Sequence, residues 1–235
     1  MYGRVLGSFL LLVTTLASFA RGDTITLTAV KDNTIFSESG SLSNGVGADM
    51  YSGRILNSPL RRALMAFDVS SLPTDVVIDS VRLELKLTKS PDLIPRLIRV
   101  YRVVADWGEG ASDGQLGQGG PAQPGDATWM NTFYPNSLWS TPGGDVAAAA
   151  SDSLTVVGTG DYVWNAAGLA SDVHGWTSQT FANYGWMLIG DEIVNRTVRQ
   201  FSSREGATPP RLVIHYAAAT PVQQTTWGKI KIRYR

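Results

Sequence analysis

The stretch "IDSVRLELKLT", residues 78–88, decides the fold class. Val81, Leu83, Leu85 and Leu87 alternate with Arg82, Glu84, Lys86 and Thr88. Apolar side chains at every second position line one face of a β-strand, and the charged ones between them face water. A helix would scatter this pattern around its axis. The same period recurs in "RRALMAFDVS" (61–70), where Ala63, Met65, Phe67 and Val69 share a face. Further strand-like runs are "TITLTAV" (24–30), "RLIRVYRVVA" (96–105), "SLTVVG" (153–158), "YVW" (162–164), "YGWMLIG" (184–190), "VRQFSS" (198–203) and "RLVIHY" (211–216). Turn-formers separate them, as in "SESGSLSNGVGAD", "SLPTD" and "EGATPP". Many short strands punctuated in this way predict an all-β chain, an antiparallel β-sandwich of the jelly-roll kind.

Two segments depart from the alternation. "NAAGLASDVHGWTSQ" (165–179) spaces Leu169, Val173 and Trp176 at i, i+4 and i+7, which predicts one short helix closing an end of the sandwich. Residues 106–150 form a long insertion. Its first half, to about residue 125, is rich in Gly, Gln, Ala and Pro and reads as mobile; its second half carries Trp129, Phe133, Tyr134 and Trp139 and reads as ordered.

The chain of 235 residues holds 20 basic and 20 acidic side chains, 43% hydrophobic residues and no cysteine. That content supports a packed core and argues against disorder. The cancelling charges point away from nucleic acid as a partner. Without cysteine there is no disulfide, thiolate–zinc site or thiol nucleophile. Residues 1–20 read as a secretory signal peptide: Arg4 precedes the apolar "VLGSFLLLVTTLASF", and small residues stand at Ser18 and Ala20. That apolar run is shorter than the roughly 20 residues a spanning helix needs. The expectation is a secreted or cell-surface protein, cleaved after Ala20, with no membrane span after cleavage. At the other end, residues 218–235 read as a polar linker and a basic aromatic tail, where Lys229, Lys231, Arg233 and Arg235 alternate with Ile230, Ile232 and Tyr234. The tail is either a frayed terminus or a docking segment, 227–235, for an export or surface partner.

Catalytic patterns are sparse. Of the two histidines, His215 alternates out of the apolar face of its strand, and His174 lies off the helix stripe. No phosphate-cradling G-x-x-x-x-G-K motif is present. Turn carboxylates at Asp106, Glu109, Asp126 and Asp145 can serve as a glycosidase pair, as turn caps or as ligands of a structural calcium ion; no other cofactor is called for. The aromatic half of the insertion offers Trp129, Tyr134 and Trp139, whose flat rings suit the C–H faces of sugars or else plug the sandwich edge. Arg99 and Arg102 offer planar forks for sugar carboxylates.

The ordered series "TLTAVKDNTIF", "RRALMAFDVSSLP", "IDSVRLELKL", "VYRVVADWGEGASD", "PGDATWMNTFY", "LWSTPGGD", "NYGWMLIGDE" and "FSSREGATPPRLVIHY" resembles DNRLRE-type domains, grouped with carbohydrate-binding module family 96. The resemblance covers residues 23–217. It implies a jelly-roll domain that is extracellular and non-catalytic and that binds polysaccharide or cell-surface glycan, acidic in some members. The landmarks that match are framework: Phe67-Asp68, Trp107 with Glu109, Thr128-Trp129, Gly143-Gly144-Asp145, Gly185-Trp186 and Arg204-Glu205. The competing readings are a structural surface or matrix protein docked through its C-terminal tail, and a polysaccharide lyase or hydrolase.

Overall fold

The computed structural model describes residues 22–57 and 59–218. The signal-peptide segment and the tail from residue 219 onward lie outside the described residues. Among the described residues the fold is all-β with one α-helix. Its strands are β1 (Gly22–Phe36), β2 (Leu42–Ser43), β3 (Asp49–Arg54), β4 (Leu60–Phe67), β5 (Val76–Lys89), β6 (Arg96–Arg102), β7 (Gly120–Pro121), β8 (Asn131–Phe133), β9 (Ser137–Leu138), β10 (Asp152–Val156), β11 (Gly160–Trp164), β12 (Trp186–Ile189), β13 (Arg199–Ser202) and β14 (Arg211–Ala218). Helix α1 spans Ala167–Thr177. No helix among the described residues is long and apolar enough to cross a membrane.

Every pairing between strands of the main sheet is antiparallel. Two strands change partner along their length. β1 pairs with β14 over residues 22–28 and with β4 from Ala29 to Phe36, with a register shift between Ala29 and Lys31. β3 pairs with β13 over Asp49–Ser52 and with β4 at Gly53 and Arg54. Gly53 makes this bend at a φ of 119°, where a Cβ would lie 2.8 Å from the Thr197 carbonyl oxygen. Only glycine is comfortable there. The pairings therefore close a ring, β1–β14–β5–β13–β3–β4 and back to β1, where the alternation alone predicts two separate sheets. β12, β6 and β10 extend it from β4, and β11 adds to β5.

The main core collects Val81, Leu83, Leu85 and Leu87 of β5 with Met65, Ile98, Val100, Leu188 and Ile214 from other strands. Leu169, Val173 and Trp176 bring α1 onto it, as their spacing predicts. The Trp176 and Trp186 rings meet at 4.5 Å. Asp172 locks the helix down: its carboxylate accepts from Trp186 Nε1 at 2.7 Å and from Ser151 Oγ, and pairs with Arg102 at 3.2 Å.

A second core lies on the outer face of β4 and β12. Ile35, Leu64, Ala66 and Met187 project there and are covered by Val103, just after β6, and by Trp107, Ala127 and Trp139 of the insertion. This explains the unbroken apolar run 63–67: β4 is buried on both faces, and such strands do not alternate. The Gly-rich half of the insertion, which composition marks as mobile, is tied to the fold. β2 pairs with β7, the N–H groups of Gly45 and Val46 both donate to the Ser112 carbonyl, and Gly114 N–H donates to Asn44 Oδ1 at 2.7 Å.

Candidate ligand-binding surface

The side chains that sequence reasoning singles out divide between two faces and a buried layer. Arg99 and Arg102 are three apart on β6, so they point to opposite sides of the strand. Arg102 turns inward with Ile98 and Val100, beneath α1, where it pairs with Asp172 and lies 3.9 Å from the Phe181 ring centroid. It is structural. Arg99 turns outward, between Ile189 of β12 and Ser153 of β10 in the register. Among the described residues it makes no ion pair.

Arg99 lines an open groove of about 430 Å³, together with Leu97, Ile189, Gly190, Asp191 and Ile193. The loop that forms its wall is held rigidly. Asp191 Oδ1 accepts from the N–H groups of Ile193 and Val194 at 3.0 and 3.2 Å, and Oδ2 accepts from Arg96 at 3.0 Å. Against the cost of its desolvation, these donors hold the Asp191 carboxyl below its usual range. Glu192, also on the groove, receives both Nε and Nη2 of Arg62, at 2.7 and 2.9 Å. The Arg62 guanidinium in turn lies 4.9 Å from the Trp129 ring centroid. Glu192 thus links the groove through Arg62 to Trp129, which does not itself line it. The two acids of the groove already have partners, and among the described residues Arg99 has none.

The three rings have different fates. Trp139 is only 5% exposed and its Nε1 donates to the Thr128 carbonyl at 2.9 Å. Here the plug reading prevails, because stacking on a sugar would require the second core to open. Trp129 is half-buried, with Gly143 against its ring edge at a φ of 95°, where a Cβ would come within 2.7 Å of the ring. Tyr134 is half-buried at the tip of the β8–β9 hairpin, ahead of a cis bond to Pro135. It does not line the Arg99 groove.

The turn carboxylates serve the framework. Asp126 is fully buried and accepts from the N–H of Gln123 at 2.5 Å and of Ser112 at 3.3 Å. Asp145 accepts from the N–H groups of Ser140 and Thr141, and Asp106 pairs with Lys31 at 3.2 Å. Glu109 binds the Arg204 guanidinium through both oxygens at 3.0 Å and also accepts from Asp32 N–H at 2.8 Å. Among the described residues, no three His, Asp or Glu side chains converge as a metal shell.

Asp32 escapes sequence reasoning altogether. It sits in "AVKDNTIF", in the half of β1 that pairs with β4, and its relative exposure is 1%. Its Oδ2 accepts from Arg204 N–H at 2.6 Å. Burial pushes its carboxyl up to about 8; the neighbouring Glu205 and Glu109 add to that, and Arg204 opposes it. Burial also raises Glu109. The sequence around it, "VKDNT", is polar and gives no sign that this acid is buried.

No family model matches this chain, and no curated protein is significantly similar to it.

Proposed function

We propose that this chain is a secreted, non-catalytic module that binds polysaccharide or cell-surface glycan, of the DNRLRE type and the jelly-roll sandwich fold, with the Arg99 groove as its contact surface. One observation carries the reading: Arg99 is an outward guanidinium that makes no ion pair among the described residues, in a groove of about 430 Å³ whose Glu192 pairs with Arg62 beside Trp129. A free planar fork suits the carboxylate or sulfate of an acidic sugar, and the half-exposed indole suits a pyranose C–H face. Its walls, braced by Asp191 and Glu192, are formed before any ligand arrives, which lowers the ordering cost of binding. The carboxylates near the loops are engaged by main-chain donors or guanidinium groups, which favours a binding role over acid–base chemistry on sugars.

Affinity electrophoresis of the secreted domain through gels containing acidic or neutral polysaccharides tests the reading. The expected outcome is retardation by at least one polysaccharide, lost in Arg99→Ala and weakened in Trp129→Ala. Free migration through every polysaccharide would remove it, and product release from any of them would replace it with an enzymatic one.

A further inference from the structure

β5 is fourteen residues long, and its two edges are occupied unequally. β14 pairs along one edge from Val76 to Glu84. β11 pairs from the opposite side, but only from Leu83 to Leu87. Leu83 and Glu84 face β14 and β11 at once, which puts these two strands on different edges. Beyond Trp164 the chain leaves for α1, so among the described residues the second edge of Val76–Arg82 has α1 near it but no strand paired to it. An open edge presents a row of unpaired main-chain donors and acceptors.

Between that edge and α1 runs a groove of about 480 Å³. Ile78, Ala166, Ala167 and Ala170 supply apolar surface to it, and Asp79 and His174 supply polar groups. Asp75 and Asp79 are exposed, and neither has an ion-pair partner among the described residues. The site offers a strand edge, an apolar strip and local negative charge.

We propose that this edge is the docking site of the chain's own C-terminal segment, Lys229–Arg235. Its seven residues match the seven open positions 76–82 in length. Laid out as a strand, it presents Ile230, Ile232 and Tyr234 on one face and Lys229, Lys231, Arg233 and Arg235 on the other. The apolar face meets the alanine strip of α1, and the basic face meets Asp75 and Asp79. Reach is sufficient. β14 ends with Ala218 opposite Val76, at the end of β5 where the open edge begins. Residues 219–228 span up to about 33 Å when extended. Moving from one edge of β5 to the other takes about 10 Å, two strand spacings. The segment then runs parallel to β5 and completes it by strand addition. The inference is independent of glycan binding at Arg99.

Hydrogen exchange on the full chain tests it. The amides of 76–82 that point away from β14, and those of 230–234 that point at β5, are expected to exchange about tenfold more slowly in the native chain than in a Lys229→Glu/Lys231→Glu/Arg233→Glu variant, equivalent to about 1.4 kcal/mol of local protection. Asp75→Lys/Asp79→Lys, at two exposed positions, should also lose the protection without a change in Tm. Combining both sets should restore it. Equal exchange in all variants overturns the proposal. So does protection that grows with protein concentration, since the added strand would then come from a second copy.

Discussion

Asp32 illustrates what a single buried charge does to this molecule. In the folded chain its carboxyl titrates near 8, against 3.8 for the free group, chiefly because it is desolvated. The folded state therefore holds this proton more tightly than the unfolded chain. The linked stability is complete below the unfolded value and is lost as pH rises through about 8. Asp32→Asn keeps an acceptor for Arg204 N–H and never ionises. Thermal melts should show a gain in Tm that is larger at about pH 9 than at about pH 5; a gain independent of pH would mean that Asp32 is not protonated when folded. Asp191 behaves in the opposite sense. Its lowered carboxyl contributes stability above its unfolded value, lost as pH falls through the folded one. Two carboxylates on one chain thus pull its stability in opposite pH directions. The difference between Arg99 and Arg102 belongs to this scale as well. It was legible in the sequence, because a separation of three along a strand always divides two side chains between faces.

Among the elements, β4 and the helix carry the lesson. The alternation in β5 identifies one wet face, and the structure agrees. In β4 the run "ALMAF" hides two burial layers, and nothing in those five residues names what covers the second. The cover comes from Val103 and, in the insertion, from Trp107, Ala127 and Trp139, more than 35 residues further along the chain. Truncating Trp139 to alanine should cost about 3–5 kcal/mol in urea unfolding, the usual range for a buried tryptophan. A loss below about 1 kcal/mol would show that the insertion is not part of the cooperative fold. Helix α1 depends on a polar anchor as well as on its apolar stripe. Asp172→Ala leaves Arg102 without its partner and Trp186 Nε1 without an acceptor. We expect a loss of about 3 kcal/mol, the lower end for a broken buried pair because Arg102 is partly exposed, with a smaller loss in Asp172→Asn.

The whole molecule is close to neutral, with 20 basic and 20 acidic residues. Retention by an anionic polysaccharide therefore has to come from a local patch and not from overall charge. Two outward faces carry basic residues. On β5, Arg82 pairs with Glu84 and Lys86 with Asp161. On β6, Arg99 has no partner among the described residues. Arg99→Glu should abolish retention by acidic polysaccharide, whereas Lys86→Glu, with the same change in net charge, should leave it unaltered. Equal effects would point to diffuse attraction without a site. The interaction should also weaken as salt rises beyond about 0.1 M, where screening shortens to about 10 Å.

Alternation, turn residues and helical spacing by themselves determined the all-β class, the position of the single helix and the core residues of β5. These are local properties, set by whether a side chain at a given spacing falls on one face of its own element. The ring closure through β1 and β3, the second core, the burial of Trp139 and Asp32, the inward turn of Arg102 toward Asp172 and the open edge of β5 were decided only in the tertiary structure. Each depends on which distant segment comes to rest against a residue, and the residue's own neighbours in sequence carry no record of that contact.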